Sequence, residues 1–309
     1  MHRSLAYTST NLYFFQMVSK IVLMLSKRKE MQDIFKHINT IFWKIEDVAD
    51  DRERTAYKNL LLKGRYIFHL LSVLFVVWLS CICRTKSLPL KCYQPKWLPL
   101  YSIIALQDFT FILLTWTIIA IDGIITSLFL MTAIQLKMLN RELKTIFDTN
   151  DEGIIERKII TLVEHHDFML CFTRLVNDTI SSSMVIFIGN IVSNIIIYLY
   201  HFTIMNSINY TIIRDFDVVA MTLIEFFGVF CIPAQLCINQ AEEIKNSAYC
   251  SKWYEHPQYK RHISTIMTRV SLGITINAGG IVKVDLETAL NVVKLAGSYY
   301  TFLKNFTEG

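Results

Sequence analysis

The chain has 309 residues, 53% of them apolar and only 18% charged, with a mean hydropathy of +0.37, whereas a soluble domain averages about 25% charged residues. That balance rules out a disordered chain, which lacks the apolar surface to offset ordering entropy, and argues against a soluble globule. The net charge of +5 comes from 31 basic against 26 acidic residues; the basic residues are spread over several loops with acids interleaved and form no aromatic-lined patch, so nothing points to nucleic acid as a partner.

Near the start, 11–25 (NLYFFQMVSKIVLML) is apolar but short and broken by Lys20, and reads as a partial span clipped by the chain start. No small-residue cleavage site follows it, so it does not read as a signal peptide. Residues 26–65 are charged and read as a loop. The 18 residues of 66–83, with only His69 to remark on, make a span. The tract 98–136 holds Asp108 and Asp122 and is too long for a bilayer at about 1.5 Å per residue; its span is expected at 107–134, with the helix projecting past one face. Residues 180–205 run for 26 positions without Asp, Glu, Lys or Arg, more than the roughly 20 that cross hydrocarbon. The 21 residues of 218–238 contain the single charge Glu225. After the more polar 239–280, the stretch 281–303 is amphipathic, with Lys283, Asp285, Glu287 and Lys294 along it. Such a helix is poor against lipid but suited to line water. The expected fold is an all-α polytopic transmembrane bundle, with five clear spans and one or two partial ones, divided at 1–25, 26–65, 66–238, 239–280 and 281–305.

Lys and Arg crowd into 26–65, 137–180 and 239–270 and are fewer in 84–106 and 204–217. The positive-inside tendency puts the first three on the cytoplasmic side and the C-terminus outside. Sequons at Asn209 and Asn305 then fall on the outer side as candidate glycosylation sites, and a third at Asn177 falls inside, where it is expected to stay unmodified.

The seven Cys have no metal-type spacing, and no metal or cofactor is expected. Cys81, Cys83 and Cys92 lie near the expected outer face, where one disulfide and buried free thiols are equally open readings. The His165-His166 pair, flanked by Glu164 and Asp167, reads as part of a solvated helix face rather than a metal cluster, because adjacent helical residues point about 100° apart. No catalytic set or phosphate-binding Gly loop is present, so the chain is not read as an enzyme. Asp122 and Glu225 are single acids inside apolar spans, which marks them as a ligand contact, a cation path or an interhelical tie. Tyr7, Tyr13, Phe14, Phe75, Trp78, Phe109, Phe111, Trp116, Met221 and Phe226 cluster in the outer parts of the spans and form a candidate pocket lining for a small apolar ligand.

The last third contains Ala248-Tyr249, Trp253-Tyr254, Lys260-Arg261, Ala278-Gly279, Leu286-Glu287-Thr288 and Ser298-Tyr299-Tyr300, and the earlier parts contain PKWLPLYS, AIDGIITSLFLMTAIQLKMLNREL and HHDFMLCFTRLVND. Over essentially the whole chain this resembles the insect odorant receptor family. The resemblance implies seven spans with an outside C-terminus, and a ligand-gated, non-selective cation channel assembled as a hetero-tetramer with a co-receptor subunit. It implies a volatile ligand in the outer half of the bundle, a place for Tyr13, Phe75, Trp78, Phe109, Trp116, Met221, Glu225 and Phe226. It puts subunit contacts near Tyr249, Trp253 and Tyr254, a pore near Phe302 and Phe306, and the protein in the plasma membrane of a sensory dendrite. Against the family pattern the first span is missing, so a non-functional N-terminally truncated fragment is the alternative expectation. A G-protein-coupled chemoreceptor and a transporter are the weaker ones, since the charge count opposes the first and no internal repeat supports the second.

Overall fold

The structure is a computed structural model that describes residues 2–48, 50–83, 97, 99–149, 151–204, 219–270 and 273–308; of 2–13, 75–83, 200–204 and 303–308 it describes the backbone only. The helices are α1 (His2–Ser26), α2 (Arg28–Thr40), α3 (Asp51–Cys83), α4 (Leu100–Lys144) and α5 (Glu152–Ile204). They are followed by α6, which runs from 219 through a π-helical turn at Phe226–Cys231 and on as Ile232–Tyr249, then α7 (Lys260–Val270) and α8 (Leu286–Glu308). Three described helical stretches are long and apolar enough to cross a membrane, Leu100–Lys144, Glu152–Leu199 and Val219–Glu255; they overlap the stretches expected as spans at 107–134, 180–205 and 218–238, of which 205 and 218 lie outside the described residues. The expected all-α bundle is what forms. Cys92 lies outside the described residues, and Cys81 and Cys83 lie where only the backbone is described.

Three helix starts follow a common local rule. Asp50, Asp151 and Asp285 each accept a backbone N–H from the first turn of the next helix, from Arg52 at 2.8 Å, Ile154 at 3.1 Å and Thr288 at 2.7 Å, satisfying donors that the helix itself leaves free. The Asp285 cap starts α8 at Leu286, five residues later than the apolar tract at 281–303 suggested. The residues between form a small hairpin in which Ala278 pairs with Val282 and Asn277 with Lys283. Its turn needs Gly279, whose φ of +61° disfavours a side chain and whose missing Cβ leaves room for Val185. Asn177 and Ser181 of α5 hold the hairpin: Asn177 Oδ1 accepts the Asn277 N–H at 2.7 Å, and the Ser181 hydroxyl donates to the Asn277 carbonyl at 3.0 Å.

Helices α4 and α6 run side by side in the same direction, and their contact continues beyond the apolar level. There Asn140 Nδ2 donates to the Gln240 carbonyl at 2.8 Å and the Ser247 hydroxyl donates to Asn140 Oδ1 at 2.9 Å. Helix α1 packs on α5, with Asn190 Nδ2 donating to Gln16 Oε1 at 2.7 Å. The α2–α3 connector is fixed to α4 by Gln135, whose amide both accepts from the Trp43 N–H and donates to the Trp43 carbonyl, each at 2.9 Å. One apolar core runs through α4, α5, α6, α7 and the buried side of α8.

The π turn has a local cause. Pro233 has no N–H to offer the Val229 carbonyl four residues back, and its ring crowds that carbonyl. The helix widens by one residue, so that the Ile232 N–H bonds to the Phe227 carbonyl. The freed Val229 carbonyl accepts from the Thr126 hydroxyl of α4 at 3.1 Å.

Candidate ligand cleft

The feature that locates a site is a buried group of three charges from three helices. Lys20 of α1 forms an ion pair with Asp122 of α4, and its Nζ lies 3.6 Å from Glu225 Oε1 of α6. Behind the ammonium stand the rings of Phe187 and Phe230, with centroids 5.0 and 4.9 Å from Nζ, close enough for cation–π attraction. Only 3% of the Lys20 side chain and 6% of that of Asp122 are exposed. Lys20 therefore does not break helix α1, which is continuous over His2–Ser26. It meets Asp122 inside the protein, because an unpaired charge there would cost several kcal/mol.

Asp122 and Glu225 also face a cleft between α3, α4 and α6. Phe68, Leu71 and Ser72 of α3 form one wall, Ile118 and Ile119 of α4 a second, and Met221, Ile224 and Val229 of α6 the third. The cleft has a volume of about 50 Å³. Gly123 lets α3 come close, since a Cβ there would lie 2.8 Å from the Phe68 ring. Mainly apolar walls with a few convergent polar groups are the usual make-up of a small-molecule site.

Of the residues expected to bind ligand, the structure brings Met221 and Glu225 to this cleft, together with Asp122. Phe226 is fully buried on the other side of α6, its ring centroid 6.1 Å from that of Phe187. Phe109 and Trp116 lie on the outward face of α4, more than half exposed. Phe14 and Phe111 meet edge to face at 6.1 Å, joining α1 to α4. The side chains of Tyr7, Tyr13, Phe75 and Trp78 lie outside the described residues. Sequence reasoning missed Phe68, Leu71, Ser72, Ile118 and Lys20. A usable signal was present for Lys20, since one cation and two acids in otherwise uncharged spans are cheapest to bury together.

Helix α8 buries one stripe, Ala289, Val292 and Ala296. At about 100° per residue, Glu287, Asn291, Lys294 and Ser298 fall on the opposite side of the helix, and all four are exposed. Phe302 is exposed beside that polar stripe. Phe306 and Asn305 lie outside the residues whose side chains are described, and Asn209 lies outside the described residues. On the polar segment, Tyr249 and Tyr254 are exposed while Trp253 packs partly against the core. Tyr249 and Trp253 line a groove of about 390 Å³ with Lys245, Lys260, Ile263 and Met267.

The expectation for His165 and His166 is overturned. Both are buried, and the His165 ring lies flat against Trp43 at 3.9 Å. The α2–α3 connector covers what local polarity suggested was a solvated face. Burial pushes both imidazoles, which lie ahead of the uncharged run at 180–205, down to about 4. Among the described residues no group of three or more His, Cys, Asp or Glu is placed to hold a metal ion.

A family model described as 7tm Odorant receptor matches residues 4–297. Among curated proteins, Odorant receptor 33c of Drosophila melanogaster is 23% identical over 163 residues, covering 49% of this chain and 40% of that protein. Odorant receptor 33a of the same fly is 26% identical over 154 residues, covering 48% and 40%. These matches thus take in less than half the length of either relative. The solved insect olfactory receptor OR5 from Machilis hrabei superposes with a TM-score of 0.80 at 15% identity, covering 96% of this chain and 79% of that one. The same receptor in complex with eugenol gives 0.80 at 17% identity, covering 97% and 82%. At these identities the likeness is one of fold.

Proposed function

The chain belongs to the 7tm odorant receptor family, a family of membrane receptors and not of enzymes, and from that premise we propose that it is an odorant-binding subunit of a ligand-gated cation channel. The observation that carries this reading is the apolar cleft between α3, α4 and α6, with two carboxyl groups in its wall and a buried ammonium group behind them. A volatile molecule, of which eugenol in the Machilis hrabei complex is an example, enters the cleft and shifts a closed-to-open equilibrium by its differential affinity for the two arrangements. The conducting path runs along α8, narrowed at Phe302 and Phe306; the polar stripe opposite the buried side of that helix supports this. Tyr249, Trp253 and Tyr254 of the 239–280 segment contact a co-receptor subunit in a hetero-tetramer, supported by the exposure of two large aromatic side chains beside a groove. The subunit sits in the plasma membrane with 26–65, 137–180 and 239–280 on the cytoplasmic side and sugar at Asn209 and Asn305 outside.

The test is to express the chain with and without the family's co-receptor, verify surface delivery by labelling, and record cation current across a panel of volatiles that includes eugenol. Current that requires both subunits and particular volatiles is the expected result. Silence to every volatile, with the subunit at the surface and the co-receptor responsive to its own agonist, overturns the reading.

A further inference from the structure

Two carboxyl groups and one ammonium group meet at the cleft. Asp122 and Glu225 both stand in its wall, and among the described residues the lining contributes no cation. Among the described residues the compensating group is Lys20, which is outside the lining. It is drawn to the Asp122 side of the pair by their direct contact and capped by Phe187 and Phe230. Glu225 is held more loosely, with Nζ at 3.6 Å, and its buried Oε1 accepts no hydrogen bond. When all three groups are ionised the cluster carries one surplus negative charge beside an apolar space. A buried carboxyl oxygen that accepts no hydrogen bond is costly, and a ligand that supplies both the donor and a positive charge removes that cost.

We propose that the cleft is selective for small volatile amines, the protonated nitrogen settling against Glu225 and Asp122 on the side opposite Lys20 and the carbon skeleton lying on Phe68, Leu71 and Ile118. This rests on the odorant receptor reading and gives it a ligand class. The limited open space in the cleft favours short-chain or single-ring amines. An alcohol or ketone of the same skeleton fills the same apolar walls but leaves the surplus charge uncompensated. The amine and its neutral counterpart thus differ at one atom, and the difference reports on the carboxyl pair alone.

The measurement is cation current from the chain co-expressed with the co-receptor, using matched sets of amine, alcohol and ketone on common skeletons. The amine is expected to be at least about tenfold more potent than its alcohol, a difference of about 1.4 kcal/mol. Glu225→Gln, which keeps the length of the side chain and removes the surplus charge, is expected to lower the amine-to-alcohol potency ratio by at least about tenfold. Neutral volatiles that open the channel while matched amines are equal or weaker overturn the amine inference and leave the receptor reading standing, as does a ratio unchanged by Glu225→Gln. If that variant does not reach the surface, the rank order in the unmodified chain decides. Silence to all volatiles, amines included, removes the receptor reading and this inference with it.

Discussion

Helix α4 carries two buried polar regions that are built differently. Toward its C-terminal end, Gln135 and Asn140 are neutral amides whose groups meet partners: Gln135 pairs with both backbone groups of Trp43, and Asn140 bridges Gln240 and Ser247. Thirteen residues before Gln135, Asp122 joins Lys20 and Glu225 in a cluster of two carboxyl groups and one ammonium group, in which one carboxyl oxygen accepts no hydrogen bond. A fully satisfied neutral network fixes one arrangement of helices and has nothing left to offer a ligand. An unbalanced cluster also ties helices together, but it retains binding capacity, and here that capacity opens on a cleft. The two regions therefore divide the work of holding α4 in place and responding at it.

The largest expected effect comes from removing the cation. Lys20→Met leaves two buried carboxylates facing each other, which is expected to cost about 3–5 kcal/mol and to be seen as a large drop in melting temperature and surface delivery. Adding Asp122→Asn and Glu225→Gln should recover most of the loss, because the uncompensated charge is then gone. A Lys20→Met protein that melts with the parent would show that the triad contributes nothing to the packing of α1. Near Gln135, where Trp43 covers His165, the corresponding test is pH. His165 and His166 drop from an ordinary 6.5 to about 4 on folding, so the unfolded chain binds more protons between those values. Stability is then full above about pH 6.5 and is lost progressively as the pH falls toward 4, by an amount on the order of 3 kcal/mol for each imidazole. Melting curves at pH 7.5 and 5 check this, with His165→Phe, which keeps a ring against Trp43, expected to flatten its share of the slope. A melting temperature that does not change over that range would mean that the imidazoles take up protons without leaving their sites.

Much of this was legible along the chain. Uncharged runs located the long apolar helices around Asp122 and Glu225, and the family motif at Ala278-Gly279 marks a turn that needs a positive φ. The cleft was legible only in part, because depth in the membrane does not fix which way a helix side faces. Trp116 and Ile119 differ by less than one turn of α4, yet Trp116 points outward and Ile119 lines the cleft. Lys20 looked like a break in an apolar run because its partners lie on α4 and α6, and pairing of that kind is tertiary. His165 looked solvated because Glu164 and Asp167 flank it, whereas Trp43, distant in sequence, covers it.

The smallest effect bears most directly on how the unbalanced cluster is aimed. Glu225 immediately precedes the π turn, so the extra residue in that turn sets its direction relative to the half of α6 that is fixed to Asn140. If Pro233 is the cause of the turn, the Val229 carbonyl depends on Thr126 only because no helical N–H is available to it. Thr126→Val should then cost about 1 kcal/mol in the parent chain, the net worth of one hydrogen bond. In a Pro233→Ala background the same change should cost almost nothing, because residue 233 now offers its own N–H to Val229. The cycle is read from four melting curves, and the Pro233→Ala protein is also expected to lose part of its preference among matched ligands as Glu225 turns with the regularised helix. Equal costs for Thr126→Val in both backgrounds would separate the proline from the turn, and the aim of Glu225 would then have to come from its contacts with Lys20 and Asp122 alone.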